Sequence, residues 1–273
     1  MLLGIIAILA TLNRRRKKHL DEQKTMQMQR QLEVKDRDNE IYRLKNVELK
    51  HSNEEIILRN HMIEEEKKRS EALLLNILPE ETAKELLLKG NAMSIKYELV
   101  TVMFVDFVGF TIIAGQLKAE DLVERIHHYF KSFDAIILKH GLEKIKTIGD
   151  SYMCAGGLPV ANTTNPVDVV KAAIDIIEFV NSEESRHYFE VRVGIHSGPV
   201  VAGVVGMHKF QYDIWGDAVN VASRVEENSL PGRINISGTT YELVKHQFSC
   251  EHRGKILAKN KGEMDMYFVN GKI

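Results

Sequence analysis

The chain of 273 residues is 44% hydrophobic and 27% charged, which argues against global disorder and allows one sizeable domain plus additional elements. A formal net charge of −1 excludes a general attraction to nucleic acid, so any anion must be bound by a local set of donors. The two cysteines, Cys154 and Cys250, lack motif spacing, which argues against a disulfide framework or a zinc site.

The amino-terminal stretch "MLLGIIAILATL" is almost wholly apolar and is followed by the basic run Arg14–Lys18. It is shorter than the roughly 20 residues that span a bilayer. In a signal peptide the positive charge precedes the apolar run, whereas here it follows. We therefore expect residues 1–13 to be the end of a truncated transmembrane helix rather than a buried or interfacial helix start. The basic run then marks the cytoplasmic side, and the rest of the chain is expected to be membrane-anchored in the cytoplasm.

Residues 14–78 are rich in Glu, Lys, Gln and Arg and contain no Gly or Pro, which predicts one long helix. A heptad frame places Val34, Ile41 and Met62 at a positions, although Glu48 also falls on this seam. The pattern predicts an imperfect parallel coiled coil that joins two chains loosely. A lone solvated helix of this length would have little to stabilise it.

Residues 79–93 are predicted to form a joint, because Pro79 breaks the helix and Gly90 ends a second, short one. Residues 94–273 alternate between strand and helix patterns. The predicted elements are strand Tyr97–Val105, helix Ala119–His140, strand Lys144–Ile148, strand Tyr152–Ala155, helix Pro166–Ser182 and strand Glu190–His196. This βαββαβ order predicts an α/β domain of the α+β kind with a ferredoxin-like sheet. A further hairpin, "GPVVAGVVG", and a helix from about Asp217 are expected to extend it.

Two aspartates follow predicted central strands. Asp106 ends the apolar run of "FVDFVGFT", where it could cap the turn or meet a cation. Asp150 follows Gly149 in the tight turn of "KIKTIGDSYM" and could converge on the same point. Oxygen donors without His or Cys suit Mg²⁺ or Mn²⁺, and two-metal sites assist in-line displacement at phosphorus. The backbone N–H groups of "FVGFT" form a natural phosphate cradle.

Four motifs together, "FVDFVGFT", "KTIGDSYM", "VRVGIHSGPVVAGVVG" and "YDIWGDAVNVASR", resemble the catalytic domain of class III nucleotidyl cyclases. The resemblance runs from about Tyr97 to Phe268. The joint "LLLNILPEETAKELLLKG" is similar to the segment that precedes such domains in membrane-linked cyclases. The resemblance implies two Mg²⁺ or Mn²⁺ ions per active site, bound by Asp106, Asp150 and the backbone of Phe107. It also implies that the turn contacts the phosphates through Phe107, Val108, Gly109, Phe110 and Thr111.

The same resemblance assigns the purine and the reacting phosphate. Lys146 and Asp213 match the pair that contacts adenine, where guanylate-specific relatives carry Glu and Cys. Asn220 and Arg224 match the transition-state pair, and their spacing of four puts them on one helix face. Lys259 matches the lysine that contacts the terminal phosphates. The family pattern is Lys-Gly-Lys-Gly, and the first glycine is replaced here, so Lys261 stays an alternative.

These matches imply an adenylate cyclase that converts ATP to cyclic AMP and pyrophosphate. In this family the catalytic domains pair head to tail, and this chain carries both halves of the site, so we expect a homodimer joined through the catalytic domain and the coiled coil. A guanylate cyclase is disfavoured by Lys146 and Asp213. A diguanylate cyclase should carry a Gly-Gly-Asp/Glu-Glu-Phe turn, which "TIGDSYM" is not. A catalytically inactive nucleotide-binding module would have lost a metal Asp, the Asn or the Arg, and none is lost.

Overall fold

The computed structural model describes residues 2–206, 209–259 and 261–273, with side chains from residue 11 onward. The chain divides into two compact units, the first ending at Ala72 and the second running from Leu73 to Ile273. Helix α1, Leu2–Leu75, makes up most of the first unit, as the sequence predicts for residues 14–78.

The apolar side chains of the heptad frame, among them Val34, Ile41 and Met62, are exposed on α1 in the single chain. The coiled coil stays a prediction. The membrane segment predicted at residues 1–13 lies mostly outside the residues whose side chains are described. Within the described part of the chain, no helix combines the length and the apolar character needed to cross a membrane.

The second unit alternates helices with strands. Its helices are α2 Glu80–Lys89, α3 Phe110–Ala114, α4 Ala119–Lys139, α5 Asn165–Asn181, α6 Asp217–Glu227 and α7 Gly238–Val244, with a 3₁₀ turn at Glu183–Ser185. Its strands are β1 Ile95–Phe107, β2 Glu143–Ile148, β3 Ser151–Gly156, β4 Val191–Val205, β5 Gln211–Trp215, β6 Ile234–Ser237, β7 Phe248–Ala258 and β8 Gly262–Lys272.

All these strands belong to one sheet with the order β2-β3-β1-β4-β6-β8-β7, and β5 pairs with β4. The first four strands pair antiparallel in the order β2-β3-β1-β4, which is the split βαβ arrangement that the sequence predicts. Beyond it, β6 runs parallel to β4, so the sheet is mixed.

The central strand β1 is buried on both faces, and its alternating side chains enter two different cores. Met103 and Val105 pack with aromatic residues of α4 and with α5. Val102 and Phe104 face the opposite way and pack with Ala222 of α6. The sheet is therefore a central layer, with α4 and α5 on one face and α6 on the other.

The hairpin expected at "GPVVAGVVG" is present, but the segment continues β4 and forms one arm of the hairpin instead of both. Its hairpin partner is β5, in a register from Val201 opposite Trp215 to Val205 opposite Gln211. The glycines of this segment within β4 allow another part of the chain to come close to the strand and do not form a turn. A Cβ on Gly203 would lie 3.2 Å from the Cβ of Ser94.

Helix α6 lies almost directly on β4. A Cβ added to Gly194 would lie 2.1 Å from the backbone nitrogen of Glu226, so only glycine allows the end of α6 to come this close. The start of the helix is fixed by Ala218 and Ala222, which are buried against the sheet. This contact places the charged residues of α6 beside the ends of β1 and β4.

Candidate active site

Asp106 and Asp150 are brought to the same end of the sheet. Asp106 lies one residue before the end of β1, and Asp150 lies in the turn between β2 and β3. Since Val105 is opposite Tyr152 in the β1–β3 pairing, both aspartates lie at the edge of this ladder. Burial raises the pKa of Asp106, and the negative charge of Asp150 raises it further. The two carboxylates are therefore within electrostatic reach of each other.

The partner of Asp106 is a cation. Its Oδ2 accepts a hydrogen bond from Nη2 of Arg192 at 2.8 Å, and its side chain is only 16% exposed. Arg192 is directly opposite Asp106 in the antiparallel pairing of β1 with β4. This ion pair gives Asp106 a cationic partner within the chain, and metal binding by Asp106 stays a prediction.

Arg192 also reaches Glu226 at the end of α6, a contact that sequence reasoning missed. Its Nε donates to Oε1 of Glu226 at 2.5 Å. Burial raises the pKa of Glu226 to about 7, although the guanidinium opposes the shift. The sequence does contain a signal that Arg192 forms an ion pair. It is a lone arginine within the apolar strand "VRVGIHSG", and a charge in such a strand needs a partner.

This group fits a hard divalent cation. The Asp106 and Asp150 carboxylates and the backbone oxygen of Phe107 are all oxygen donors, which Mg²⁺ and Mn²⁺ prefer. The guanidinium of Arg192 already offsets part of the negative charge of this group through its ion pair with Asp106. Across the described residues, no group of three or more His, Cys, Asp and Glu side chains is arranged to hold a metal. A metal here would therefore rely on two carboxylates, backbone oxygen and oxygens of the nucleotide.

The predicted phosphate turn follows β1 directly. Phe107 is 2% exposed and its ring stacks on Phe189 at 4.5 Å. The backbone N–H of Val108 donates to the carbonyl of Glu190 at 2.9 Å, so this member of the predicted cradle is already engaged. Gly109, with φ of 66°, begins the five-residue helix α3. Phe110 and Thr111 are the first two residues of α3. The phosphate contacts of this turn stay a prediction, with the Val108 amide already bonded within the chain.

Lys146 and Asp213, far apart in sequence, lie side by side. Lys146 comes from β2 and Asp213 from β5, and Nζ of the lysine is 2.5 Å from Oδ2 of the aspartate. The other carboxylate oxygen of Asp213 accepts the backbone N–H of Ile214 at 2.8 Å. Asp213 is 7% exposed. The pair is therefore oriented, with a donor and an acceptor next to each other.

Asn220 and Arg224 occupy successive turns of α6. The side chain of Asn220 is exposed, and Nη1 of Arg224 donates to Oε1 of Glu227 one turn further on. In the turn between β7 and β8, Lys259 is exposed, whereas Lys261 forms an ion pair with Asp217 at the start of α6. Asn260 lies outside the described residues. Both lysines stay candidates for the terminal phosphates.

The predicted site residues thus form two groups. In the described residues, no hydrogen bond or ion pair joins the aspartates Asp106 and Asp150 to Lys146, Asp213 or Asn220. Each group contains the residue types that its predicted role requires. One group consists of anionic oxygen donors beside the predicted phosphate turn, and the other consists of the donor and acceptor pair Lys146 and Asp213 with helix α6, which carries an amide and a guanidinium.

Comparison with known proteins agrees with these features. Residues 93–271 match the model of the family described as adenylate and guanylate cyclase catalytic domain. An adenylate cyclase of Mycobacterium tuberculosis is 40% identical over 214 residues, covering 77% of this chain and 48% of that protein. Guanylyl cyclase C of Sus scrofa is 39% identical over 226 residues, covering 77% of this chain and 21% of that protein.

Among solved structures, the guanylate cyclase domain of RhGC from Catenaria anguillulae in complex with GTP superposes with a TM-score of 0.64 at 34% identity. The match covers 66% of this chain and all of that domain, or 100%. This chain spans about half the length of the mycobacterial relative, 48%, and a smaller share of guanylyl cyclase C. Both adenylate and guanylate cyclases are similar to it, so the similarity alone leaves the choice of nucleotide open.

Proposed function

Because the chain belongs to the family of adenylate and guanylate cyclase catalytic domains, we propose that it converts ATP to 3′,5′-cyclic AMP and pyrophosphate. The observation that carries the choice of ATP is the Lys146–Asp213 pair. A lysine can donate to a ring nitrogen of adenine, and an aspartate can accept from the exocyclic amine. Guanine presents a carbonyl oxygen where adenine has its amine, so the same pair would leave a carboxylate facing an acceptor.

The catalytic roles follow from the chemistry of each side chain. Asp106 and Asp150, with the Phe107 backbone, would hold two Mg²⁺ or Mn²⁺ ions. When bound, such ions lower the pKa of the ribose 3′-hydroxyl and neutralise charge on the phosphates. Asn220 positions the ribose, and Arg224 stabilises the charge that develops on the α-phosphate.

The reaction is an in-line displacement. A bond forms between the 3′-oxygen and the α-phosphorus, while the bond from that phosphorus to the bridging oxygen of pyrophosphate breaks. The hydroxyl proton passes to solvent, since no side chain of the group is assigned as its base. The amides of the Gly109 turn and Lys259 or Lys261 bind the triphosphate and the departing pyrophosphate.

The active unit in this proposal is a homodimer with two shared sites. Its support is that one chain carries both groups of residues, yet among the described residues no hydrogen bond or ion pair joins Asp106 or Asp150 to Lys146, Asp213 or Asn220. Two chains that pair head to tail would bring the aspartates of one to the purine pair and α6 of the other. A monomer is then expected to be inactive.

For the first unit we propose that α1 pairs with its copy as a coiled coil and that residues 1–13 attach the chain to a membrane, with the catalytic unit in the cytoplasm. The support is the heptad pattern and the basic residues Arg14–Lys18 that follow the apolar stretch. Deleting residues 1–13 is expected to move the chain from the membrane fraction to the soluble fraction. An unchanged distribution would contradict the membrane attachment.

The test of the function is an assay of the purified chain with ATP and GTP in separate reactions, each with Mg²⁺ and with Mn²⁺. We expect cyclic AMP as the main product, and we expect an Asp150→Asn chain to bind nucleotide but form none. Cyclic GMP as the main product would support the guanylate alternative instead. Nucleotide binding without any cyclic product would support the inactive regulatory module.

A further inference from the structure

The last turn of α6 is held by side-chain donors as well as by its own backbone. The side-chain amide of Asn228 donates to the carbonyl oxygen of Arg224 at 2.8 Å, and the backbone N–H of Asn228 donates to the same oxygen at 3.2 Å. From β6, the side-chain amide of Asn235 donates to the carbonyl oxygen of Val225 at 2.7 Å. Because the last carbonyl groups of a helix lack partners within it, these donors determine how the helix ends. The turn that they hold is the one that carries Arg224.

A cation from β7 contacts the same helix end. Nη1 of Arg253 donates to the carbonyl oxygen of Asn228 at 2.6 Å. The guanidinium lies 4.0 Å from the centre of the Phe268 ring, which is 6% exposed. Glu251 of the same strand is bonded to Arg233, and among the described residues no carboxylate forms an ion pair with Arg253. Its charge is therefore placed at the negative end of the α6 dipole, where a cation stabilises the helix.

Asn228 joins the sheet to the catalytic helix. A buried apolar cluster also links α6 to β7 and β8, and its members are Val221, Val225, Ala258 and Met266. Apolar packing has no preferred direction, so it brings the helix close with little control of how its last turn is oriented. Hydrogen bonds are directional, and Asn228 accepts one from Arg253 and donates another to Arg224. These bonds supply the constraint that the apolar contacts lack.

The anchoring of this turn bears on catalysis if Arg224 stabilises charge at the α-phosphate, a premise that rests on the function proposed above. We propose that Asn228 and Arg253 are positioning residues for Arg224, which hold the last turn of α6 so that the guanidinium meets the transition state without rearrangement. A displacement of about 1 Å in such a group lowers turnover by up to about 100-fold. Binding of the nucleotide, which depends on other residues, is expected to change little.

The test begins with substitutions in the full chain. Asn228→Ala removes the side-chain donor to Arg224, and kcat should fall about two- to tenfold, the effect of one hydrogen bond, with KM for ATP nearly unchanged. Arg253→Met keeps an apolar stem on Phe268 and removes the charge. Its kcat should fall by about tenfold or more, because hydrogen bonds from a charged donor are stronger. Asn228→Ser, whose hydroxyl can donate to the carbonyl four residues earlier, should recover most of the loss.

The matched control is Ser132→Ala on α4. The hydroxyl of Ser132 donates at 3.1 Å to the carbonyl oxygen of His128, also four residues earlier, and neither residue belongs to the predicted site. This variant should keep the wild-type kcat and KM. A loss equal to that of Asn228→Ala would show that any weakened helix lowers turnover, and it would overturn the proposal.

Mixed dimers separate positioning from a general loss of stability. When Asp106→Ala chains are mixed with Arg224→Ala chains, the one intact site takes its arginine from the Asp106→Ala chain. Asn228→Ala added to that chain should lower the recovered activity about two- to tenfold, whereas the same substitution in the Arg224→Ala chain should leave it unchanged. Equal losses from the two chains, or no loss from either, would overturn the proposal.

A readout independent of activity is amide hydrogen exchange, measured by mass spectrometry on peptides that cover residues 221–229. Asn228→Ala and Arg253→Met should each make exchange in the last turn of α6 severalfold faster, whereas Ser132→Ala should not. Exchange equal to that of the wild type in both variants overturns the anchoring, whether or not the chain is a cyclase. If the wild-type chain forms no cyclic nucleotide, the proposed function fails by that result alone, and the effect of Asn228 on turnover fails with it.

Discussion

Exchanging Lys146 for Glu together with Asp213 for Cys is expected to move the substrate preference from ATP towards GTP. In the native pair the lysine donates and the aspartate accepts, which suits the edge of adenine. The exchange reverses the polarity, since a carboxylate can accept from the ring N–H and the amine of guanine, and a thiol can donate to its carbonyl oxygen. Overall turnover should fall as well, because the surrounding pocket is not adapted to guanine.

The size of the effect follows from the environment of the pair. Each good contact to a base edge discriminates by about 1–3 kcal/mol. Without nucleotide, however, Lys146 and Asp213 are bonded to each other at 2.5 Å, with side chains 28% and 9% exposed. Breaking this partly buried pair offsets part of the gain from both base contacts. We therefore expect a net change near the lower limit for the two contacts together, about 2 kcal/mol. This corresponds to about a 30-fold change in the ratio of kcat/KM for ATP to kcat/KM for GTP.

The measurement is kcat/KM for ATP and for GTP, before and after the double exchange, on chains with equal thermal stability. The single exchange Lys146→Glu is the internal control. It places a carboxylate against Asp213, so activity with both nucleotides should fall. A ratio that changes less than threefold in the folded double variant would refute the assignment of these two residues to the base, and the choice of ATP would lose its main support.

Three further results are expected. Chains with Asp106→Ala and chains with Arg224→Ala, each inactive alone, should regain activity when mixed, because one site of the mixed dimer is intact; no recovery in proven mixed dimers would contradict the shared site. Gly194→Ala should destabilise the fold by about 3 kcal/mol, since its Cβ would lie 2.1 Å from the Glu226 nitrogen, and an unchanged melting temperature would contradict this packing. Burial raises the pKa of Glu226 from its ordinary value of 4.5 to about 7, so the folded chain holds this proton more tightly than the unfolded chain. Its contribution to the free energy of unfolding should therefore fall by on the order of 2 kcal/mol as the pH rises between these two values. Denaturant titrations at pH 5 and pH 7.5 measure this change in the free energy of unfolding. Glu226→Gln should remove that part of the pH dependence, and an equal pH dependence in the variant would show that another group is responsible.

The order of the strands and helices was predictable because each element is long enough to show its own period. The run of β-branched and apolar residues along β1 and the helical spacing of α4 and α5 are local properties of the sequence. The hairpin was misplaced because a Val and Gly segment fits both an extended strand and a turn. The pairing of Val201–Val205 with β5, which depends on residues further along the chain, distinguishes the two.

The carboxylates of the site were predictable from their position after strands, whereas their partners were not. The contact of Asp106 with Arg192 depends on the register between β1 and β4, which are separated in the chain by three helices, two strands and a 3₁₀ turn. The contact of Arg192 with Glu226 further requires that α6 lie on β4. Similarly, the engagement of the Val108 amide depends on the loop before β4. Such contacts follow from tertiary packing, which no local pattern contains.

The length of the continuous strand β4 fixes the spacing between two groups of predicted site residues in the second unit. Near its start Arg192 is bonded to Asp106, and eleven residues later Gly203 is paired with Asp213 of β5. At about 3.3 Å per residue, the contour length of this segment is roughly 35 Å between the residue bonded to Asp106 and the residue paired with Asp213. This segment of β4 is stiff, because β1, β5 and β6 are hydrogen-bonded along it. In the proposed homodimer, a stimulus that changes turnover should therefore leave this spacing unchanged and alter the angle between the two catalytic units.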